Sequence, residues 1–222
     1  MARGVRVAPG GAPLDPAGIP IGAAPGHQFL PAAVHTGQST LVAWSNLLYF
    51  ESETENYPGL HATRVSAQGT VLDPVPLEPG ATVLGRMSAA SNGAGALIGI
   101  PGYAESSVLP VDAAGAPGAP WFLPPSDPGF IDVRDVAIAS DGVGYLAVAT
   151  EIDAGLPSAV EGWLVDGQGA FTGVGPFPIS PAGVEGSSAA AAFDGTHYVV
   201  LWTSAEGLLG TRVSPAGVVL AA

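Results

Sequence analysis

The chain contains no cysteine and no lysine. The first absence excludes disulfides and thiolate chemistry, and it leaves the redox compartment without a marker. The second leaves six arginines against 19 acidic residues, a formal net charge of −13. Such a field repels nucleic acid and anionic membrane surfaces, so neither is an expected partner. The same acidity either keeps a strand-rich surface soluble or draws in cations and basic partners. Long apolar runs are also missing, and none approaches the roughly 18 residues of a membrane helix. No long segment repeats apolar residues at helical spacing. Met1 to Val7 lacks the apolar core of a signal peptide. A chain of this kind is expected to be intracellular or cut from a longer precursor.

What is abundant is glycine (32), proline (22) and apolar side chain (47% of residues). A disordered chain would lack that apolar content. Short apolar runs punctuated by glycine and proline predict many short strands and many turns. A length of 222 residues is enough for one domain with a sizeable core.

One pattern recurs five times: Val5-Arg6-Val7 to Gly11, Thr63-Arg64-Val65 to Gly69, Leu109-Pro110-Val111 to Gly115, Trp163-Leu164-Val165 to Gly169, and Thr211-Arg212-Val213 to Gly217. The copies start 58, 46, 54 and 48 residues apart, a period that marks a repeat architecture. In Ser214-Pro215-Ala216-Gly217, the proline suits the first central position of a type I turn. Gly217 then supplies the left-handed residue that closes a bulged hairpin. Gly11, Gly69, Gly115 and Gly169 fill the same slot and have the same structural role. The strands flanking this turn are the third and fourth of a unit.

A second hairpin recurs four times ahead of them: Pro31 to Trp44, Ser88 to Ile100, Val136 to Ala149, and Ala190 to Trp202. Its Asn92-Gly93, Asp141-Gly142 and Asp194-Gly195 dipeptides are hairpin signals. Its first strand is rich in alanine, a poor strand former, which places it where strands crowd together. Its second strand is more apolar, as expected of a strand buried on both faces. Links between units, such as Pro120-Trp121-Phe122 and Pro176-Phe177-Pro178, are proline-rich, so the fourth strand is expected at a sheet edge, with these links crossing to the next unit.

These features predict an all-β fold: a β-propeller of four-stranded antiparallel blades, with four complete blades and an N-terminal orphan hairpin. A tandem β-sandwich is the alternative. The expected divisions of the single repeat domain 1–222 are a half-blade hairpin and crossing at 4–30, then blades at 31–87, 88–134, 135–185 and 186–222. Five outer hairpins against four inner ones suggest a piece of a longer ring, or four blades plus a hairpin. In either case the orphan edge is expected to pair with another chain.

The units follow Gly-Thr-Arg-Val-Ser-Pro-x-Gly-x-Val-Leu-Asp, then Pro-Ala-x-Ala-x-Asp-Gly-x-x-Tyr-x-Val-Val-Trp. This resembles the tandem repeats of bacterial extracellular, propeller-like proteins, many of them uncharacterised. Gly210 to Leu220 and Ala190 to Trp202 match best, while the Leu109 and Trp163 units lack the arginine of Arg6, Arg64 and Arg212. The resemblance implies a secreted or cell-surface setting and carries no particular chemistry.

Candidate chemistry is sparse. Glycoside hydrolysis needs two carboxylates at a defined separation. Asp132 and Asp135 precede one inner strand, and no partner recurs in the other units. Asp141, Asp194 and Asn92 precede turn glycines, where a turn role is expected. His27, His35, His61 and His197 lack ligand spacing and are expected in loops or on strand surfaces. No metal, cofactor or catalytic residue is assigned. The most individual segment is Ser45 to Leu60, an acidic, aromatic insertion that contains Tyr49, Glu51, Glu53, Glu55 and Tyr57. Such a loop on one rim is where ligand binding is expected. Trp44 and Trp202 end equivalent strands and are expected in the core. Trp121 and Trp163 break the pattern and are expected to be exposed, as further ligand contacts. The expected function is a non-catalytic binding or adhesion scaffold for carbohydrate or protein. The alternatives are a glycan-active propeller enzyme and an assembly module of a larger extracellular protein.

Overall fold

The computed structural model describes residues 2–22, 26–47, 58–102, 106–124, 132–152 and 159–220. Its repeating unit starts from the turn. In all five copies the glycine N–H donates to the carbonyl three residues back, as Gly69 does to Ser66, and that residue's own N–H donates across the turn, as Ser66 does to Thr70. The five glycines have φ between +82° and +87°, a region strained for any residue with a Cβ.

Strands grow outward from these turns into five antiparallel sheets. The first is a two-stranded hairpin, β1 (Arg3–Gly4) with β2 (Ile19–Pro20). The second contains β3 (His27–His35), β4 (Thr40–Leu47) and β5 (Gly59–Val65). Isolated bridges Val65–Val71, Ala62–Leu77 and Gly59–Thr82 stand where its fourth strand would run. The third contains β6 (Ser88–Ser91), β7 (Gly95–Ile100), β8 (Ser107–Asp112) and β9 (Trp121–Phe122). The fourth contains β10 (Asp132–Ser140), β11 (Tyr145–Ile152), β12 (Ala159–Val165) and β13 (Phe177–Pro178). The last contains β14 (Ser187–Phe193), β15 (Tyr198–Ser204), β16 (Gly207–Val213) and β17 (Val219–Leu220). Strand order within each sheet follows chain order.

Two details differ from the pattern reading. The proline-rich links are not simply crossings, because Trp121–Phe122 and Phe177–Pro178 themselves form the outermost strand of their sheets. Pairing there covers two residues, which proline tolerates at an edge. The link from Thr203 to Gly210 is mostly strand, with Ala205 and Glu206 alone at the turn.

The sheets stack face to face in chain order. Alternation along each strand sends odd and even positions to opposite neighbours. Leu41, Ala43, Leu60 and Ala62 pack forward against Val83, Ile98 and Leu109 of the next sheet. Trp44 and Val65 pack backward against Ile21, which follows the N-terminal hairpin. Leu97 and Val108 meet Trp163 and Val165 in the next interface, and Leu146 and Val160 meet Trp202 and Val213 in the one after. Polar tethers cross these interfaces too. Asn92 Nδ2 donates to Gly167 O at 3.0 Å, Thr36 Oγ1 to Ala113 O at 3.2 Å, and Ile138 N–H to Ser88 Oγ at 2.7 Å.

The last sheet is different. In β7 every residue is buried, whereas β15 alternates between buried Tyr198, Val200 and Trp202 and the more open Val199, Leu201 and Thr203. Among the described residues, nothing covers one of its faces. No strand pair joins this sheet to the N-terminal hairpin among the described residues.

Candidate functional site

The site begins where β4 passes to β5. The register sets Trp44 opposite His61, Ser45 opposite Leu60 and Asn46 opposite Gly59. Trp44 and His61 point to the same face and stack, with ring centroids 6.0 Å apart and planes 19° from parallel. Asn46 Nδ2 lies 3.4 Å from His61 Nε2. On the other side of the ring, His61 Nδ1 is 3.7 Å from Glu78 Oε1, whose side chain is largely exposed. Ser45, Asn46 and His61 are all buried. Trp44 Nε1 and Ser45 Oγ are enclosed without a hydrogen-bond partner among the described residues. An enclosed donor left unpaired costs about 1–3 kcal/mol, and no described residue meets these two groups.

Polar burial recurs at the same end of other sheets. Glu161 faces Ala149 as His61 faces Trp44, and it is buried. Thr150 takes the place of Ser45, and its Oγ1 is enclosed. Ser106 and Ser107 are buried at the start of β8. In the last sheet the corresponding residue is Leu209, opposite Trp202.

The insertion residues Tyr49, Glu51, Glu53, Glu55 and Tyr57 lie outside the described residues. Leu47 and Pro58, which flank them, place both ends of that segment beside the Trp44–His61–Asn46 cluster. The two tryptophans expected to be exposed are not free on the surface. Trp163 is 1% exposed and its Nε1 donates to Pro124 O at 3.1 Å. Trp121 is half-buried, donates to Gly169 O, and tilts against Phe171 with centroids 5.7 Å apart. Both are claimed by packing between sheets. His61 is likewise buried rather than on a strand surface. Trp44 and Trp202 are buried as expected.

Six of the described aspartates have structural work. Asp15 forms two side-chain hydrogen bonds with Arg6, and Asp73 three with Arg64. The arginine hydrogen bonds hold both carboxyls below the usual carboxylate range. Both pairs have the same nine-residue spacing, a signal that the sequence carried and that pattern reading passed over. Asp112, Asp141, Asp166 and Asp194 accept backbone N–H groups within their own turns. For Asp194 the N–H groups of His197 and Thr196 lower the pKa. Asp132 and Asp135 lie within β10 rather than ahead of it. Asp135 forms a parallel backbone bridge with Arg86. Tyr145 is buried, which pushes its hydroxyl up to about 12, and Tyr198 moves the same way. Both phenols stay neutral at ordinary pH.

Among the described residues, no group of three or more His, Asp or Glu side chains is placed to hold a metal ion. No helix of the described chain is long and apolar enough to cross a membrane.

No protein-family model matches the chain, and no curated protein matches it by sequence. Solved structures match it in shape. A subtype N11 neuraminidase-like protein of A/flat-faced bat/Peru/033/2010 (H18N11) superposes with a TM-score of 0.62 at 10% identity, over 87% of this chain and 51% of that one. A subtype N10 neuraminidase-like protein of A/little yellow-shouldered bat/Guatemala/060/2010 gives 0.58 at 9% identity, over 87% and 57%. The chain thus spans about half the length of these proteins. Their fold is propeller-like, and the likeness extends that description to the present all-β stack of five sheets.

Proposed function

We propose that the protein is a non-catalytic binding scaffold, built as four propeller blades and a half-blade hairpin, that takes a neutral polar ligand such as a carbohydrate or a protein loop. The observation that carries this reading is the enclosed Trp44–His61–Asn46 cluster, on the two strands that the acidic, aromatic Ser45–Leu60 sequence connects. An aromatic ring, an amide and an imidazole, beside a Trp44 Nε1 and a Ser45 Oγ that meet no partner among the described residues, are the few convergent polar groups that fix a ligand's orientation. The use of Asp15, Asp73, Asp112, Asp141, Asp166 and Asp194 in ion pairs and turns supports a binding role over hydrolysis, which needs carboxylates held ready for the substrate.

The test is an array of glycans and peptides, with soluble products followed in parallel. Binding without turnover is expected. Tyr49→Ala, Tyr57→Ala and Asn46→Ala should each weaken it about tenfold or more, with the melting temperature of the two tyrosine variants unchanged. Turnover that disappears in Asp132→Asn or Asp135→Asn would replace this reading with a glycan-active enzyme.

A further inference from the structure

The two ends of the stack carry the separated halves of a contact that the chain makes repeatedly within itself. At each internal interface, the second residue of the repeated motif reaches forward to the glycine turn of the next sheet. Arg6 Nη1 donates to Ala67 O at 2.8 Å, and Arg64 Nη1 to Ala114 O at 2.7 Å. Pro110 lies against Gly169, and Leu164 against Gly217. Arg212 is the next residue in this series, and it is exposed. At the opposite end, the turn at Gly11 has nothing within 4 Å of the position a Cβ would take. Among the described residues, one end offers a guanidinium without its turn, and the other a turn without its guanidinium.

The surrounding surfaces repeat this relationship. Registers place Val199 and Leu208 in the last sheet where Leu41 and Leu60 lie in the second. Leu41 and Leu60 are 1% and 2% exposed, covered by the following sheet, whereas Leu208 is 68% exposed. Leu201 beside it is 40% exposed. At the N-terminal end, Val5 and Val7 occupy the places of Thr63 and Val65, which face backward and are buried. Val5 and Val7 are 50% and 58% exposed.

We propose that the last sheet of one copy docks onto the N-terminal hairpin of a second copy. In this contact Arg212 reaches the Ala8–Gly11 turn, and Leu208 covers Val5 and Val7. The contact is heterologous, so successive copies form a ring or an open chain according to the rotation at each step. The hairpin is two strands wide and meets chiefly the outer half of the last sheet, so the interface belongs to the weak class of small contacts.

The test is sedimentation of the whole chain from low to high micromolar concentration. The expected result is a mass that rises with concentration. Arg212→Ala should weaken association about tenfold. Leu208→Asp and Val5→Asp, both at exposed sites, should each give monomers when alone. Mixed together they should give a one-to-one dimer and nothing larger, because each retains one intact end. Val143→Asp, at a site 79% exposed on a distant turn, should leave association unchanged. A monomer at every concentration would overturn the proposal. So would association that survives both end variants, association lost equally in the Val143 variant, or the absence of dimer in the mixture.

Discussion

Gly169 and Gly142 share a backbone conformation, with φ of +87° and +89°, and differ in their surroundings. A Cβ at Gly142 would meet nothing within 4 Å, while one at Gly169 would overlap Pro110 of the preceding sheet. Gly142→Ala should therefore cost about 1 kcal/mol for the left-handed backbone. Gly169→Ala should cost about 1–3 kcal/mol more for overpacking. Urea denaturation measures the difference, and equal costs would mean that the turn glycines serve local conformation alone. The five turn glycines were legible in the sequence because a left-handed turn is a local demand. Trp163 and His61 were not, because alternation reveals which residues share a face and not whether another sheet covers it. Both lie at interfaces between sheets distant in sequence, so each looked like a break in pattern or a surface residue.

At the scale of the element, each outer hairpin is held by its turn and, in two copies, by an arginine–aspartate clasp. The Arg64–Asp73 pair, 2.5 Å at its shortest, ties β5 to the returning segment that lacks a regular strand. The clasp replaces ladder hydrogen bonds where proline-rich sequence cannot supply them. Its pH dependence follows from the lowered Asp73 pKa. Because the folded state holds the carboxylate more strongly than the unfolded chain, the stabilisation is complete above the ordinary value of 3.8 and is lost as pH falls through the folded value. Asp73→Asn should lower the melting temperature at neutral pH, and the gap from the parent should close as pH drops below about 4. A gap that stays constant down to acid pH would show that the ion pair contributes nothing. The inner hairpins were readable from Asn-Gly and Asp-Gly turns. The outermost strands were read as crossings, because two residues of pairing leave too short a pattern for alternation to appear.

At the scale of the molecule, the repeats make an ordered stack whose interior sheets are covered on both faces and whose ends are not. The five copies of the outer-hairpin motif are matched by five antiparallel sheets among the described residues. The end proposed for binding was only partly legible: the insertion from Ser45 to Leu60 stood out by length and composition, while the buried His61 and Asn46 carried no motif. The exposed ends account for the proposed self-association, and the rim cluster for the proposed binding, so the two can be tested separately. The central claim is the proposal that the N-terminal hairpin is half a blade, since no strand pairs along its inner side among the described residues. Val5 and Val7 there face the direction in which Thr63 and Val65 pair with Val42 and Thr40. Amide hydrogen exchange, measured at a concentration where the chain is monomeric, tests this most directly. The account predicts fast exchange at Val5 and Val7, and protection about 100-fold or greater at Thr63 and Val65. Equal protection at all four amides would show that a strand pairs with the hairpin and that the blade is complete.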